Sequence, residues 1–247
     1  MRVLWMDTRT DIIEREASIH DQPGVLPTSQ TREQTRTFYD RISRVYDLLA
    51  ERSEAPIRRK GLELLAAHPG ETVLEVGFGT GRCLASLVRA VGPGGRVCGI
   101  DLSEGMLRRA QSCLEREGLS GRAVLQCGDA VCTPYADATM DAVFMSFTLE
   151  LFDTPEIRNV LLECRRILKP EGRIVVVGMS KGDGEDPLLR IFQWTHRHFP
   201  GFMDCRPIYV RRAIEASGFV VEQATITRWW IPVEIVLGRK RGGMESA

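Results

Sequence analysis

The chain has 247 residues, a length that suits one domain with an extension and can enclose a sizeable apolar core. Its 33 Lys and Arg residues are balanced by 33 Asp and Glu residues, so it has no net positive field to hold a polyanion, and we expect no nucleic-acid partner. The seven cysteines are odd in number and never spaced C-x-x-C, which indicates thiols in a reducing compartment rather than disulfides. Because no signal-peptide core and no apolar run of membrane-spanning length occur, we expect a cytoplasmic protein without integral membrane association.

Residues 1–34 mix charges with proline and glycine and show no sustained periodicity, so we interpret them as a flexible N-terminal arm. From residue 35 the pattern becomes helical, because apolar side chains recur at spacings of three and four. Those side chains are Phe38, Ile42, Val45 and Leu49. Residues 35–68 are therefore expected to form helices that cap the segment after them.

Strand and helix patterns alternate from residue 69 onward, which predicts a doubly wound parallel sheet with helices on both faces. The strands are expected near 72–77, 96–101, 122–127, 141–146 and 173–179. The helices between them are expected near 81–91, 104–117 and 156–168. Pro170 and Gly172 are expected to separate the last of these helices from its strand. A helix near 207–217 and strands near 219–227 and 232–239 are expected to complete the chain.

The most informative segment is the first of these strands, which leads directly into the alternating glycines Gly77, Gly79 and Gly81. Glycine lacks a Cβ, so such a turn can adopt positive φ and its backbone can approach a ligand closely. A dinucleotide-binding loop would need its third glycine where Arg82 stands. Glu75 stands two residues before the first glycine, where its carboxylate would repel a phosphate and attract an ammonium group.

Further motifs follow the loop in a fixed order. Together the motifs are Glu75–Gly81, Gly99–Met106, Gly128–Ala130, Asp141–Phe144 and Leu168–Gly172, with Phe38–Ile42 and Tyr46–Leu49 upstream. Because of these motifs, residues 36–240 of the chain resemble the class I S-adenosylmethionine-dependent methyltransferases. The resemblance is strongest to the ubiquinone/menaquinone biosynthesis (methyltransferase type 11) group. The resemblance implies a Rossmann-like α/β fold with a mostly parallel seven-stranded sheet, an antiparallel C-terminal hairpin and an N-terminal helical cap. It also implies a single domain, 35–247, with the cap at 35–68, a cofactor-binding core at 69–180, and a substrate insert with the hairpin at 181–247.

The cofactor that the resemblance implies is S-adenosyl-L-methionine, and the acidic residues after the strands then acquire roles. Asp101 closes the second strand, where its carboxylate can accept both ribose hydroxyl groups; alternatively it caps the next helix, although Ser103 can do that instead. Asp129 can accept from the adenine amine beside the backbone of Ala130, or it is an ordinary turn aspartate.

The remaining cofactor residues carry their own alternatives. Leu102 and Met106 would sandwich the adenine ring or simply form part of the core. Glu75 is costly inside an apolar strand unless the cofactor's ammonium group satisfies it, or unless it pairs with an arginine such as Arg82. Tyr46 is expected to face the cofactor, with Tyr39 two helical turns before it; packing alone is the alternative. Ser146, at the end of the fourth strand, completes the predicted cofactor-binding set.

The implied reaction is an SN2 transfer of the sulfonium methyl group, for which the protein mostly aligns donor and acceptor and excludes water. A general base is needed only if the acceptor arrives protonated. The predicted catalytic candidates are Glu150, His196 and His198, with Asp153 as a further possible base. The His-x-His pair has no further ligand cluster at metal spacing, so we predict no metal site.

The insert and the tail are rich in aromatic and apolar side chains, which favours a small aromatic or lipophilic methyl acceptor such as a quinone-like molecule, a phenol or an amine. They are Phe192, Trp194, Phe199, Phe202, Met203, Trp229 and Trp230. Two alternatives remain: a non-catalytic module that senses S-adenosylmethionine, and an NAD(P)-dependent oxidoreductase, which would share the glycine loop and Asp101 but would have no use for Asp129. We expect a monomer or a homodimer.

Overall fold

The computed structural model describes residues 54–182, 206–228 and 230–242, together with Val25 and Thr37. The helices are α1 (54–65), α2 (Arg82–Val91), α3 (Glu104–Arg116), α4 (Thr154–Ile167) and α5 (Val210–Ala216). The strands are β1 (Thr72–Val76), β2 (Arg96–Asp101), β3 (Ala123–Cys127), β4 (Met140–Ser146), β5 (Leu168–Met179), β6 (Val220–Arg228) and β7 (Pro232–Arg239). A short 3-10 helix, Leu149–Leu151, follows β4. None of the described helices is both long and apolar enough to cross a membrane.

The seven strands form one sheet in the order β3-β2-β1-β4-β5-β7-β6. The first five strands pair in parallel, and β7 is antiparallel to both β5 and β6. The order reverses between β1 and β4, so the carboxyl ends of these two neighbouring strands form the edge where ligands bind in doubly wound sheets. This sheet confirms the predicted fold, including the antiparallel hairpin at the C-terminal end.

Each face of the sheet is covered by helices. One apolar cluster joins α1, α2 and α3 to the first face and contains Leu65, Leu84 and Met106. The second cluster joins α4 and α5 to the opposite face and contains Leu161 and Ile214. Strands buried on both sides are therefore almost continuously apolar, which explains why β1, β4 and β5 were predictable from sequence.

Two element boundaries differ from the sequence-based expectation. β5 begins at Leu168, before Pro170 and Gly172, because Leu168 already pairs with Met140 and an irregularity in the pairing absorbs the residues up to Arg173. Glu171, with φ of 61°, lies at this irregularity and donates its N–H to the Lys240 carbonyl.

The fifth helix also differs, since it begins at Val210 rather than near residue 207. Ile208 instead forms a parallel bridge with Ser180 and so extends the sheet. The predicted arm at 1–34 and its boundary with the cap stay predictions, because only Val25 and Thr37 are described before residue 54.

Candidate functional site

The glycine loop lies at the carboxyl end of β1, and its three glycines have positive φ of 69°, 51° and 86°. A Cβ on Gly77 would lie 2.2 Å from the Thr148 hydroxyl, and one on Gly81 would lie 2.8 Å from the Ala110 Cα. These two glycines therefore allow close packing inside the protein. A Cβ on Gly79 would meet none of the described atoms within 4 Å, so of the three loop glycines Gly79 is the one that borders space left open by the described residues.

Asp101 connects the glycine loop to the beginning of α3. Its Oδ2 accepts a 2.9 Å hydrogen bond from the Gly79 N–H, and its Oδ1 accepts a 2.9 Å hydrogen bond from the Ser103 N–H. The helix itself is capped by Ser103, whose Oγ accepts from the Met106 N–H at 3.1 Å. Asp101 is thus not the cap, and its carboxylate is held at the rim of the open space next to Gly79.

Glu75 is only 2% exposed, on the same face of the sheet as Asp101. Its register neighbours are Gly99 on β2 and Phe144 on β4, neither of which has a polar side chain. Within the described part of the chain, Glu75 Oε2 accepts no hydrogen bond. Burial raises the pKa of the Glu75 carboxyl well above its usual range, while the positive charge of Arg58 opposes that shift.

The alternative partner for Glu75 was Arg82, on the first turn of α2. None of the ion pairs among the described residues joins the two side chains, and Arg82 is exposed. A buried carboxylate oxygen without a hydrogen bond is costly, so a positively charged ligand group beside it would supply what the protein does not. The ammonium group of S-adenosylmethionine fits this requirement.

The segment after β3 lies next to Asp101, because the Gly128 N–H donates to the Asp101 carbonyl at 2.9 Å. Asp129 Oδ1 accepts from the Val131 N–H at 3.0 Å, which is the local turn bond expected of a turn aspartate. Ala130 is buried beside it. Across the rim, Met106 is buried in the first apolar cluster and Leu102 is half-buried.

The end of β4 contributes a second wall opposite the glycine loop. Ser146 is buried, and its hydroxyl has no hydrogen-bond partner among the described residues. Phe147 has a φ of 52°, which is rare for a non-glycine residue and typical of strained functional loops. The Thr148 hydroxyl donates to the Ser146 carbonyl at 3.0 Å and contacts the turn at Gly77. Sequence reasoning missed Phe147 and Thr148, since neither strain nor this contact has a sequence signature.

Glu150 lies in the 3-10 helix just beyond this wall and is completely buried. Its Oε1 accepts from the Met179 N–H at 3.1 Å, and its Oε2 accepts no hydrogen bond from the described residues. Burial raises the pKa of Glu150 to about 7, and Arg206 partly opposes that rise. Asp153 stands at the N-cap position of α4, where its carbonyl accepts from the Glu156 N–H.

The two ends of the predicted insert meet at the end of β5. Ser180 and Ile208 form their bridge there, and the Lys181 N–H donates to the Ile208 carbonyl at 3.1 Å. Arg206, which is 1% exposed, donates to the Phe152 carbonyl at 2.6 Å. The segment between these ends therefore leaves and re-enters the fold beside Glu150.

Several predicted residues lie outside the described part of the chain, and so their roles stay predictions. They are Tyr39, Tyr46, His196, His198, Phe192, Trp194, Phe199, Phe202, Met203 and Trp229. The structure joins Gly79 to Asp101 by a hydrogen bond and places Glu75 on the same face of the sheet as Asp101, while their roles in binding a cofactor stay predictions. It also adds two residues that sequence reasoning missed, Glu54 and Arg58 on α1, which form an ion pair.

Comparison with known proteins agrees with this arrangement. Residues 73–172 match the family described as "Methyltransferase domain". The chain is 34% identical over 140 residues to Nocamycin O-methyltransferase from Saccharothrix syringae, which covers 57% of this chain and 49% of that protein. It is 29% identical over 170 residues to Demethylmenaquinone methyltransferase from Lactobacillus johnsonii, covering 67% of this chain and 68% of that one. The chain thus spans from about half to about two thirds of the length of these relatives.

The fold is also shared with solved structures. The [4+2]-cyclase SpnF superposes with a TM-score of 0.71 at 18% identity. The match covers 89% of this chain and 100% of the cyclase chain. At this identity the likeness concerns the fold alone. Residues 73–172 thus match a methyltransferase domain, and the relatives support a class I S-adenosylmethionine-dependent methyltransferase related to the ubiquinone/menaquinone biosynthesis group, with S-adenosylmethionine as its cofactor.

Proposed function

We propose that this protein transfers a methyl group from S-adenosylmethionine to a small aromatic or lipophilic acceptor. The observation that carries the proposal is the buried Glu75 carboxylate, whose Oε2 accepts no hydrogen bond from the described residues and which lies on the same face of the sheet as Asp101. A ligand with an ammonium group at one end and a ribose diol further along matches these two carboxylates. S-adenosylmethionine and S-adenosylhomocysteine have both groups.

Each residue around the opening then has a defined role. Glu75 accepts from the ammonium group, and Asp101, held in place by the Gly79 and Ser103 N–H groups, accepts from the ribose hydroxyl groups. Asp129 and Ala130 border the adenine, with Leu102 and Met106 against its faces. Gly77, Gly81 and Ser146 shape the wall on either side, and Tyr46 stays a further candidate for contact with the cofactor, on the family resemblance alone.

The chemistry requires alignment more than activation. When bound, S-adenosylmethionine supplies a methyl group on an already activated sulfonium leaving group. The protein has to hold the acceptor in line with that methyl group and exclude water, and orientation alone can contribute roughly 7–11 kcal/mol to lowering the barrier. The strained turn at Phe147 and Thr148 is suited to this, because it fixes the wall between the cofactor opening and the end of β5.

The acceptor is proposed from the relatives and from the position of the insert. The relatives include a Demethylmenaquinone methyltransferase and Nocamycin O-methyltransferase. The segment between Lys181 and Arg206 begins and ends at the crevice edge and is rich in aromatic side chains. A flat, weakly polar acceptor would pack against such side chains.

Glu150 is the proposed base if the acceptor is a phenol, an ammonium or a carbon acid. A carboxyl with a pKa of about 7 is well matched to accepting a proton near neutral pH. Glu150 is enclosed, however, so an acceptor reaches it only if a neighbouring side chain moves or one water molecule relays the proton. His196 and His198 are the further candidates, on the insert itself.

Two other functions use the same opening. An NAD(P)-dependent oxidoreductase would place a diphosphate at the glycine loop, where an ionised Glu75 would repel it, although Asp101 would still suit its ribose. A sensor would bind S-adenosylmethionine without turnover, and the cyclase among the structural neighbours illustrates that one fold hosts different chemistries.

Two measurements decide between these functions. Thermal unfolding with S-adenosylhomocysteine or NADH separates the cofactors, because a ligand at a hundredfold excess over its Kd stabilises the fold by about 2.7 kcal/mol. Incubation of the protein with S-adenosylmethionine and a panel of quinols, phenols and amines, followed by detection of S-adenosylhomocysteine, tests turnover. Binding without product across the panel would favour the sensor, and stabilisation by NADH alone would remove the proposal.

A further inference from the structure

The direction of α1 places its first turns at the functional edge of the sheet. At its C-terminal end, the Arg173 guanidinium donates to the Leu65 carbonyl at 2.6 Å, near the beginning of β5. One turn earlier, a Cβ on Gly61 would lie 2.5 Å from Val177, near the end of β5. The helix therefore runs antiparallel to the parallel strands. Residues 54–58 must project toward their carboxyl ends, because each residue adds about 1.5 Å along the axis.

The inner face of these first turns is charged rather than apolar. Glu54 and Arg58 form an i, i+4 ion pair, and their side chains are 5% and 16% exposed. Ile57 beside them is buried in the first apolar cluster, so the pair lies at the edge of packed apolar residues. Burying such a pair seldom stabilises a fold more than well-packed apolar residues would. A role in binding explains the charges better than stability does.

Arg58 lies close enough to Glu75 for its positive charge to act on that carboxyl. Burial and the negative charge of Asp101 raise the pKa of Glu75, whereas the positive charge of Arg58 lowers it and so favours the ionised carboxylate. Gly61, one turn away from Arg58 on the same face, would contact Phe144 with a Cβ, and Phe144 is the register neighbour of Glu75. The face of α1 that carries Arg58 and Gly61 therefore packs on the side of the sheet that carries Glu75.

The amino-acid end of the cofactor carries a carboxylate as well as an ammonium group. Glu75 can accept from the ammonium group, but a carboxylate beside Glu75 and Asp101 would be repelled unless a cation lies near it. Arg82 on the first turn of α2 is exposed, whereas Arg58 is half-buried and held in position by Glu54. A guanidinium matches a carboxylate with two parallel hydrogen bonds, so Arg58 suits this task.

We propose that Arg58, oriented by Glu54, is a further cofactor-binding residue that binds the carboxylate of the amino-acid end of S-adenosylmethionine. The inference rests on the proposed function and extends it. It makes α1 part of the binding site rather than only a cover for the sheet. The Arg58 and Glu75 side chains would then hold opposite charges of the same zwitterion.

The test compares two ligands by calorimetry: S-adenosylhomocysteine, which has the amino-acid end, and 5′-deoxy-5′-methylthioadenosine, which lacks it. Arg58→Met is expected to weaken binding of S-adenosylhomocysteine by about 10–100-fold, the range for a lost charged hydrogen bond, and to leave binding of the shorter ligand within about twofold. Arg58→Lys should recover part of the loss. The matched control is Arg59→Met, since Arg59 is 76% exposed on the outer face of the same helix and should change neither affinity.

Each other outcome overturns the proposal. An equal loss for both ligands would show that Arg58 only supports the structure, and no loss for either would assign the carboxylate to backbone N–H groups of the glycine loop. If wild-type protein bound neither adenosyl ligand, the proposed function itself would fail. That result is distinguishable, because it does not depend on the variant.

Discussion

The Gly79 N–H donates a 2.9 Å hydrogen bond to Oδ2 of Asp101, which joins the apex of the glycine loop to the carboxylate at the end of the second strand. The loop and the carboxylate therefore form one rigid unit rather than two separate motifs. Because the other oxygen of Asp101 accepts from the Ser103 N–H, the same side chain also fixes the start of α3. A ribose bound by Asp101 would be positioned by three elements of the fold at once.

Replacing Asp101 tests that unit. Asp101→Ala is expected to weaken binding of S-adenosylhomocysteine by about 1.5–3 kcal/mol, the scale of a hydrogen bond to a charged group. It should also lower stability by about 1–2 kcal/mol, because the Gly79 and Ser103 N–H groups lose their acceptor. Calorimetric titration and chemical unfolding measure the two effects separately. Unchanged affinity would remove the ribose role of Asp101.

Gly79 provides a steric test with a matched control. Gly79→Val is expected to abolish cofactor binding, because its side chain would enter the open space beside Asp101. Gly118 has a positive φ of 69° and, like Gly79, nothing within 4 Å of a built Cβ, but it follows α3 away from the opening. Gly118→Val should therefore show a similar loss of stability, about 1–2 kcal/mol from the left-handed backbone, with normal binding. A Gly79 variant that still binds would contradict the assignment of that space to the cofactor.

The raised pKa of Glu150 predicts that the stability of the fold depends on pH. Its pKa in the fold, about 7, lies above the ordinary value of 4.5, so the folded state favours the protonated carboxyl. The associated stability is complete below the ordinary value and is lost as the pH rises toward the folded value. The full effect is on the order of 3 kcal/mol, since one pKa unit corresponds to about 1.36 kcal/mol.

Glu150→Gln should remove that loss. Gln cannot ionise and can still accept from the Met179 N–H, so the variant is expected to be more stable than wild type at about pH 8 and similar at about pH 4.5. Urea unfolding at both values measures the difference. Parallel pH profiles for the two proteins would show that Glu150 is not the titrating group.

The variant Glu75→Gln distinguishes the contribution of the Glu75 carboxyl to cofactor binding from its contribution to stability. The amide mimics the neutral form that burial favours, so the variant is expected to unfold at the same or a higher temperature than wild type. It should nevertheless bind S-adenosylhomocysteine about 10–100-fold more weakly, because the ammonium group loses its countercharge. A variant that binds normally would show that the ammonium group is held elsewhere.

Sequence predicted the parts of this molecule that depend on local pattern. The central strands are continuous apolar runs, and Gly77, Gly79 and Gly81 mark the turn after β1, so both were readable from one sequence. The start of β5 and of α5 was not readable, because Leu168 and Ile208 extend the sheet through pairing with distant strands. Tertiary pairing overrides the local signal of Pro170 there.

In the candidate site too, features that depend on local sequence were readable and features that depend on tertiary packing were not. The positions of Glu75 and Asp101 were readable from the sequence because each stands at a fixed place relative to a strand end, and their binding roles stay predictions. The ion pair between Glu54 and Arg58 was not, because an i, i+4 pair of opposite charges on a helix resembles an ordinary solvated pair until the helix direction is known. Its burial, and its approach to Glu75, depend on how α1 packs on the sheet.

Calorimetric titration of the purified protein with S-adenosylhomocysteine, in two buffers of different ionisation enthalpy, tests the central claim most directly. The account predicts saturable one-site binding with release of a proton, because the ammonium group stabilises the ionised form of Glu75, whose pKa burial raises in the empty pocket. Glu75→Gln should release no proton from this site. Absence of binding heat in both buffers with folded protein, or saturation by NADH instead, would contradict the account.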